Sequence, residues 1–234
     1  MYKLTIIVPC YNEERNIPLI LERFNSVIKS DDIEIILVNN GSTDNSEAVI
    51  SEQISNYSFA RVVKVEINQG YGFGITSGLR VAKGEFIGYT HADMQTDPAD
   101  ILKAFKLLKQ QETPEKCYIK GDRKGRSLFD QFFTIGMSFF ETFYLGKKLW
   151  DINAQPNIFN RSFFDSIKNT CPKDFSLDLY FLYTAQKLRL NVIRFDVLFP
   201  ERVHGESSWN KDFTSKWKFI KRTISFSIKL KKEL

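Results

Sequence analysis

The stretch IEIILVNNGSTDNS, residues 33–46, determines the fold class of this chain. Residues 33–38 are apolar except for Glu34, and such a nearly continuous apolar run is typical of a strand buried on both faces. Polar residues follow at once, and the oxygens of residues 42–44 can cap a helix over roughly 45–56. A buried strand that leads through a polar turn into a helix is the repeating unit of an open α/β sheet.

The same unit recurs before and after this stretch. Residues 4–8 predict a buried strand, and a helix is expected from Asn12 to about residue 28. Further strands are predicted over 61–67 and 85–90, each followed by a helix. Ligands of open α/β sheets bind beyond the carboxyl ends of the strands, so the polar segments at those ends form one candidate site. These segments are 10–14, 39–44, 68–72 and 91–97.

The second half of the chain departs from this alternation. Its predicted elements are a strand at 117–120, a basic loop at 121–126, an aromatic helix at 128–145, a loop at 151–157, a helix near 174–189, a strand near 191–199 and a loop at 200–210. A basic segment over 211–234 closes the sequence. We therefore expect two parts, an α/β domain at 1–210 and a basic amphipathic C-terminal helix at 211–234.

Composition narrows the function classes. The 234 residues are 43% hydrophobic, which suffices for one sizeable core. The net charge of +5 is concentrated in residues 211–234, which carry eight Lys or Arg against two acidic residues. The rest of the chain is close to neutral, which argues against a nucleic-acid-binding core. Three widely spaced cysteines indicate a reducing compartment, and the sequence predicts neither a signal peptide nor a transmembrane helix.

The motif after the strand at 85–90 suggests metal binding. His91, Asp93 and Gln95 alternate along the chain, so their side chains can point to one side. Carboxylate and amide oxygens favour Mg²⁺ or Mn²⁺, and an imidazole shifts the preference toward Mn²⁺. The alternative interpretation is structural, because Asp93 and Asp97 could simply cap the helix that begins at Pro98.

Two other polar segments admit simple structural explanations. Residues 39–44 could form no more than a turn and a helix cap. The glycines at 70, 72 and 74 could likewise form only a turn. Their spacing does not match the dinucleotide fingerprint, which disfavours an α/β oxidoreductase.

Taken in order, the motifs resemble those of family 2 glycosyltransferases with the GT-A fold. The similarity is greatest to the branch that contains dolichyl- and polyprenyl-phosphate sugar synthases. The matching stretches are IIVPCYNEERNI (6–17), EIILVNNGSTDNS (34–46), NQGYGFGITSGLRVAKGE (68–85), HADMQTDP (91–98), KGDRKGR (120–126), DINAQPNIFNRSFF (151–164), FSLDLYFLYTAQK (175–187) and PERVHGESSWN (200–210). The resemblance implies a mostly parallel central sheet with flanking helices.

The resemblance also implies roles for individual residues. Binding of the nucleotide sugar is implied for Pro9, Tyr11, Glu13, Asn39, Asn40, Asn68, His91 and Ala92. Binding of the acceptor or of phosphate is implied for Arg123, Arg126, His204 and Ser207, and catalytic roles are implied for Asp93, Asp178 and Arg202. The implied ligands of a divalent cation, Mg²⁺ or Mn²⁺, are His91, Asp93 and Gln95.

Two positions depart from the family pattern. Asn39 and Asn40 stand where the family usually has two aspartates, which leaves the base preference open. His91 stands at the first aspartate of the metal motif. It would either bind the metal or only contact the diphosphate.

The function expected from the resemblance is inverting transfer of a sugar from a nucleotide-diphosphate sugar to polyprenyl phosphate. A phosphate acceptor is already anionic and needs no general base, whereas a sugar hydroxyl would need one, with Asp178 as the candidate. The alternative is therefore transfer to a saccharide or lipid-linked saccharide during assembly of a cell-envelope glycan. A non-catalytic nucleotide-sugar-binding module is a third interpretation.

Two segments have sequence patterns that could bind a membrane surface. Residues 128–145 are crowded with aromatic side chains, which either pack against the sheet or lie at a membrane surface. In the basic segment, Trp217, Ile220, Ile224 and Ile228 recur at three- and four-residue steps among lysines. This pattern suits an anionic cytoplasmic leaflet, although a solvated helix would also explain it. The expected location is cytoplasmic, peripherally associated with the inner membrane face, alone or with a membrane-embedded partner protein.

Overall fold

The computed structural model describes residues 2–200, 202, 204 and 213–232. These residues form a sheet of seven strands, ordered β3-β2-β1-β4-β6-β5-β7 across the sheet. The strands are β1 (Leu4–Cys10), β2 (Ile33–Asn40), β3 (Ala60–Val65), β4 (Phe86–Tyr89), β5 (Cys117–Lys124), β6 (Asn157–Asn160) and β7 (Asn191–Leu198).

Eight α-helices lie in the described ranges and connect or flank these strands. They are α1 (Ile17–Val27), α2 (Ser46–Gln53), α3 (Tyr71–Val81), α4 (Pro98–Lys109), α5 (Leu128–Leu145), α6 (Arg161–Ile167), α7 (Ser176–Lys187) and α8 (Phe213–Lys232). Short 3₁₀ turns occupy Ile54–Asn56 and Pro114–Lys116.

Strand β1 lies at the centre of the parallel part of the sheet. It pairs in parallel with β2 on one side and β4 on the other, so Ile7 has Ile36 and Tyr89 as its two neighbours. Strand β6 runs antiparallel to both β4 and β5, and β7 is parallel to β5. The predicted α/β class with a mostly parallel sheet is therefore confirmed.

The core lies on both faces of the sheet. Alternate residues of a strand point to opposite faces, and β2 follows this rule: Ile35 packs in the core on one side and Ile36 on the other. The first side is covered by α1 and α4, the second by α3, α6 and α7. All eight residues of β2 are buried, as the apolar run 33–38 predicts.

The start of the first helix differs from the prediction. Helix α1 begins at Ile17 rather than at Asn12, because Asn12 adopts a left-handed backbone conformation with φ of 58°. The next two backbone amides make no helical hydrogen bonds and donate to side chains instead. Glu13 N donates to Ser46 Oγ, and Glu14 N donates to Asp44 Oδ2. Residues 12–16 thus form a loop at the carboxyl end of β1.

In the second half of the chain, one predicted loop is partly strand and two short elements were not predicted. The basic segment 121–126 was expected to be a loop, but β5 continues to Lys124 because it pairs with β7 as far as Leu198. Strand β6 and helix α6 follow the predicted loop at 151–157 and were not predicted. Both are short, and β6 has only four residues, too few for a periodic pattern to emerge.

The basic C-terminal helix packs on the rest of the molecule. Ser227 Oγ of α8 donates to Glu141 Oε2 of α5 at 2.6 Å, and Leu230 packs against Leu145 and Leu182. The predicted apolar stripe does not make these contacts, since Trp217 and Ile228 remain exposed. None of the helices in the described ranges is both long enough and apolar enough to cross a bilayer.

The close approach of β4 and β6 gives a stability prediction. A Cβ at Gly88 would lie 2.4 Å from the carbonyl oxygen of Asn157, which is backbone and cannot move aside cheaply. We expect Gly88→Ala to lower the free energy of unfolding by about 1–3 kcal/mol through overpacking, measured by urea denaturation. Gly136→Ala is the control, because nothing lies within 4 Å of its Cβ and alanine favours the helix by roughly 0.5–1 kcal/mol. Equal stabilities for the two variants would contradict the prediction.

Candidate active site

The loops after β1 and β2 are joined by hydrogen bonds at one edge of the sheet. Asn12 N donates to Ser42 Oγ at 3.1 Å, and Thr43 N donates to Asn12 Oδ1 at 2.8 Å. Because β1 and β2 are parallel neighbours, their carboxyl ends meet and these loops form one wall at this edge of the sheet. Tyr11 is exposed at this wall.

Glu13 lies at the inner side of the same wall. Its Oε2 accepts from Asn16 Nδ2 at 2.6 Å, and Asn16 Nδ2 also reaches the backbone oxygen of His204 at 3.4 Å. Burial raises the pKa of Glu13 to about 7, the charge of Asp93 adds to the increase, and Asn16 and Arg202 oppose it. The influence of Asp93 and Arg202 on its pKa indicates that Glu13 lies near the motif after β4.

The asparagines at the end of β2 shape the backbone around them. Asn39 Oδ1 accepts from Ser42 N at 3.2 Å, and Asn40 Nδ2 donates to Gly70 O at 3.1 Å. Asn40 packs so closely on α3 that a Cβ at Gly74 would lie 2.7 Å from its Nδ2. These contacts orient the start of α3, and Asn68 Oδ1 supports the same turn by accepting from Gly70 N at 2.8 Å.

The motif after β4 is linked to the chain segment that follows β7. Arg202 Nη2 lies 2.8 Å from Asp93 Oδ2, and Arg202 Nε donates to Gln95 Oε1 at 3.1 Å. Gln95 Nε2 donates to Pro200 O at 3.0 Å. Two predicted metal ligands and one predicted catalytic arginine therefore lie in direct contact.

The capping alternative holds for one aspartate only. Asp97 Oδ1 accepts from Ala99 N at 2.9 Å and so caps α4, as the structural interpretation predicts. Asp93 is buried, and its Oδ1 accepts from Gln95 N at 3.1 Å while its other oxygen faces Arg202. Asp97 therefore caps a helix, whereas Asp93 contacts Arg202.

His91 lies among several of the charged residues. Burial lowers its pKa, Asp93 and Asp178 oppose that decrease, and Arg123 and Arg202 add to it. The neutral imidazole has a lone pair, and within the part of the chain that the structure describes its Nε2 is buried with no hydrogen-bond partner. Four of the sequence-predicted residues therefore influence the pKa of one imidazole. That ring lies edge-on to Phe199 at a centroid distance of 6.0 Å.

Asp178 is hydrogen-bonded to two tyrosines, one at the end of β4 and one at the start of α3. It is buried, and its carboxylate accepts from Tyr89 Oη at 2.6 Å and from Tyr71 Oη at 3.1 Å. Burial raises its pKa, and the charge of Lys120 and the two tyrosine hydrogen bonds oppose that increase. Tyr71 stacks on Phe175 with ring centroids 4.5 Å apart, which fixes the hydroxyl in place.

The two predicted phosphate-binding arginines are held by one carboxylate. Asp151 Oδ1 lies 2.5 Å from Arg123 Nη2 and 3.7 Å from Arg126 Nη2, and all three side chains are largely buried. Burial alone would raise the pKa of Asp151, but the charges and hydrogen bonds of Arg123 and the charge of Arg126 hold it below its usual value. Arg123 also covers the Phe199 ring at 5.1 Å.

Sequence reasoning missed four side chains of this arrangement: Tyr71, Tyr89, Lys120 and Asp151. Asp151 and Lys120 each open one of the stretches that carry the resemblance, which was a usable signal. The tyrosines look like ordinary helix or strand residues, and only the tertiary structure places them against Asp178. Ser207 lies outside the described residues.

The described residues offer few side chains that could hold a metal ion at this motif. Across residues 2–200, 202, 204 and 213–232, no group of three or more His, Cys, Asp or Glu side chains is placed to hold a metal ion. A site at this motif would need the amide oxygen of Gln95 beside Asp93 and His91. These three donors include one hard carboxylate, one amide oxygen and one unpartnered imidazole nitrogen, a set that suits Mn²⁺.

A protein-family model and several curated proteins match this chain. The model described as glycosyl transferase family 2 matches residues 5–167, well over half of the chain. Among curated proteins, the undecaprenyl-phosphate 4-deoxy-4-formamido-L-arabinose transferase of Photorhabdus laumondii is 26% identical over 219 residues. The match covers 89% of this chain and 63% of that protein. The enzyme of the same name from Yersinia enterocolitica is 33% identical over 103 residues, covering 42% and 31%.

Solved structures share the fold. Glucosyl-3-phosphoglycerate synthase from Mycobacterium tuberculosis, in complex with UDP, superposes with a TM-score of 0.74 at 16% identity, covering 97% of this chain and 79% of that chain. A mannosyltransferase from Pyrobaculum calidifontis, in complex with GDP-Man and Mn²⁺, gives a TM-score of 0.66 at 19% identity, covering 88% and 58%. These similarities confirm the predicted GT-A architecture.

The stability of an Asp151 variant tests whether this carboxylate anchors Arg123 and Arg126. Asp151→Asn leaves two largely buried guanidinium groups against a neutral amide, so we expect the free energy of unfolding to fall by about 3–5 kcal/mol. Asp165→Asn is the control, because it breaks only the exposed pair with Lys168 and should cost less than about 1 kcal/mol. Urea denaturation measures both. Equal losses would show that Asp151 does not anchor the arginines.

Proposed function

This chain belongs to glycosyl transferase family 2, and we propose that it transfers a sugar from a nucleotide-diphosphate sugar to a polyprenyl phosphate such as undecaprenyl phosphate. The observation that carries the proposal is the direct contact of Arg202 with Asp93, at 2.8 Å, and with Gln95, at 3.1 Å, beyond the carboxyl end of β4. The names of the curated relatives support the lipid acceptor. This chain spans 63% of the length of the Photorhabdus relative, so substrate and acceptor are part of the proposal.

The donor would lie along the wall formed by the loops after β1 and β2. Exposed Tyr11 offers a ring for stacking on a base, and Asn39 offers an amide for its edge. The diphosphate would face Arg202, which carries the positive charge nearest to Asp93. Binding of the donor would give Arg202 a second anionic partner.

A divalent cation fits the donor set at the motif after β4. Asp93, Gln95 and His91 would hold it, and the unpartnered Nε2 of His91 supports this assignment. When bound, the cation would neutralise charge on the diphosphate leaving group. Arg202 would contribute to the same stabilisation through charge-assisted hydrogen bonds.

The acceptor phosphate would lie at the pair of arginines. Together with Asp151, Arg123 and Arg126 form a cluster of net charge +1 whose geometry is fixed before any ligand binds. Arginine is suited to phosphate because its planar fork can donate two hydrogen bonds at once. An oxygen of the lipid phosphate would attack the anomeric carbon as the bond to the diphosphate breaks, which inverts that centre.

A second candidate reaction uses a saccharide hydroxyl as the acceptor. The observation that favours it is the buried carboxylate of Asp178, a group placed to accept a proton. The two candidates differ in their need for this carboxylate. A phosphate acceptor carries no proton to remove, whereas a hydroxyl does.

Transfer can be tested directly. The purified protein is incubated with Mn²⁺, a panel of UDP- and GDP-sugars and undecaprenyl phosphate, and lipid-linked sugar is measured. We expect product with one donor, and Asp93→Asn should reduce its rate at least about 100-fold, because the cation that would neutralise the diphosphate loses its carboxylate ligand. Asp97→Asn is the matched control from the same loop, since asparagine still caps α4.

The outcomes separate the candidates. Lipid product that partly survives Asp178→Asn supports the phosphate acceptor, whereas product on a saccharide that Asp178→Asn abolishes supports the hydroxyl acceptor. Donor binding without transfer to either acceptor would overturn the proposal in favour of a binding module. Full activity of Asp93→Asn would contradict the assigned role of that carboxylate.

We also propose that the protein docks on an anionic membrane surface through α5 and α8. One side of α5 presents apolar side chains to solvent, with Phe139 75% and Phe143 85% exposed beside Phe132 and Ile135. The neighbouring α8 adds exposed Trp217 and Ile228. Exposed lysines line the same helix at positions 218, 221, 229, 231 and 232. Apolar anchors beside lysines favour an anionic leaflet, which is where a polyprenyl phosphate would be met.

Vesicle binding tests this surface. We expect tighter binding to phosphatidylglycerol vesicles than to phosphatidylcholine vesicles in a flotation assay, with salt weakening the difference. Replacing Phe139 and Phe143 together by Ser should weaken binding at least about tenfold, because a buried aromatic side chain contributes roughly 1.5–3 kcal/mol. Leu198→Ser is the control, an exposed apolar residue on β7. Unchanged binding of the double variant would contradict this docking surface.

A further inference from the structure

Arg202 contacts the same two side chains whose oxygens are assigned to the divalent cation. Its Nη2 lies 2.8 Å from Asp93 Oδ2, and its Nε donates to Gln95 Oε1 at 3.1 Å. The amide of Gln95 is held in this orientation, because its Nε2 donates to Pro200 O at 3.0 Å. The guanidinium therefore engages both oxygen donors of the motif after β4 at once.

Both oxygens of the Asp93 carboxylate are engaged. Oδ1 accepts from Gln95 N at 3.1 Å, and Oδ2 faces Arg202. The side chain of Asp93 is only 4% exposed, whereas that of Arg202 is 24% exposed. A carboxylate this buried needs a positive partner, and either a guanidinium or a divalent cation can provide the charge. The two are alternative partners of one carboxylate, and Arg202 is the partner nearer to solvent.

A cation and the guanidinium would repel each other if both stayed at these oxygens. Mg²⁺ binds a carboxylate oxygen at about 2.0–2.1 Å. With Arg202 Nη2 at 2.8 Å from the same oxygen, the two positive centres would lie no more than about 5 Å apart. Like charges at such a distance repel strongly where water is partly excluded. Tight binding of the cation therefore requires Arg202 to move away from Asp93.

The diphosphate of the donor is the group that can take over Arg202. It is anionic, and the fork of a guanidinium can donate two hydrogen bonds to phosphate oxygens as well as to a carboxylate. In the proposed function the diphosphate lies beside this arginine. Its arrival would replace the contact that Arg202 loses, whereas a cation that arrives alone would have to break that contact without a replacement.

We propose that Arg202 makes binding of the divalent cation depend on the diphosphate, because it holds Asp93 and Gln95 until the diphosphate becomes its partner. The inference rests on the proposed function in so far as the diphosphate is that partner. The cation and the donor then bind cooperatively, and by linkage each strengthens binding of the other by the same factor. The cation site is thus assembled only when a leaving group is there to be stabilised.

Binding of Mn²⁺ alone tests the competition without any transfer. Free Mn²⁺ is measured by its electron paramagnetic resonance signal while the full chain is titrated in the absence of nucleotide. We expect Arg202→Gln to bind Mn²⁺ at least about tenfold more tightly than the wild type, because the carboxylate is released from its competing cation. Arg202→Lys, which keeps the charge but not the fork, should fall between the two.

Arg23→Gln is the matched control, because Arg23 holds a different aspartate of the same loop. Arg23 Nε and Nη2 donate to the two oxygens of Asp97, each at 2.9 Å, and Asp97 is not an assigned ligand. This variant also removes one positive charge from a carboxylate, yet its Mn²⁺ affinity should stay near the wild-type value. Adding Asp93→Asn to Arg202→Gln should abolish the gain, which would place the bound Mn²⁺ at this motif.

The dependence on the diphosphate is measured by repeating the titration with UDP or GDP. In the wild type, the nucleotide that binds should tighten Mn²⁺ binding at least about tenfold. In Arg202→Gln this gain should be smaller, because the cation no longer has to wait for the diphosphate to remove Arg202. An equal gain in both proteins would overturn the dependence.

The remaining outcomes separate this inference from the proposed function. Equal Mn²⁺ binding by Arg202→Gln and the wild type, including no detectable binding by either, overturns the inference, and so does an equal gain in Arg23→Gln. If neither nucleotide binds, the proposed function fails, whereas tighter Mn²⁺ binding by Arg202→Gln would still support competition between Arg202 and the cation. If Arg202→Gln does not fold, Arg202→Lys serves in its place, and an unchanged affinity of that variant overturns the inference.

Discussion

The parallel pairing of β1 with β2 on one side and β4 on the other is the constraint on which the site depends. Parallel strands place their carboxyl ends at one edge, so the loops after these three strands must meet there. The register is set by burial, because Ile6 and Ile7 point into opposite cores and a slip of one residue would exchange them. The meeting of these loops is thus a consequence of the same apolar runs that form the sheet.

Two carboxylates of the candidate site are matched by arginines from other parts of the chain. Asp93 pairs with Arg202, and Asp151 pairs with Arg123 and Arg126. Buried ion pairs add little net stability, since desolvation offsets most of their attraction, but losing one partner is costly. The pairs therefore specify geometry more than they stabilise the fold. They also offset the charge of these two acidic side chains.

Much of this architecture could be predicted from the sequence. Long apolar runs such as residues 33–38 gave the parallel strands, and the order of the motifs gave the family, because both signals are local. The start of α1 could not be predicted, since Asn12 owes its conformation to contacts with a loop 30 residues away. Lys120 was missed for a similar reason: one lysine in a strand suggests an exposed edge until its partners Ala154 and Asn157 are known. The roles assigned to individual site residues stay predictions.

The central claim is that this edge of the sheet binds a nucleoside diphosphate together with a divalent cation. Isothermal titration of the full chain with UDP and GDP, each with and without Mn²⁺, tests it most directly. We expect that one of the two nucleotides binds with a stoichiometry of one and that removing Mn²⁺ weakens this binding at least about tenfold, through lost charge neutralisation at the diphosphate. Absence of binding by either nucleotide in the presence of Mn²⁺ would contradict it.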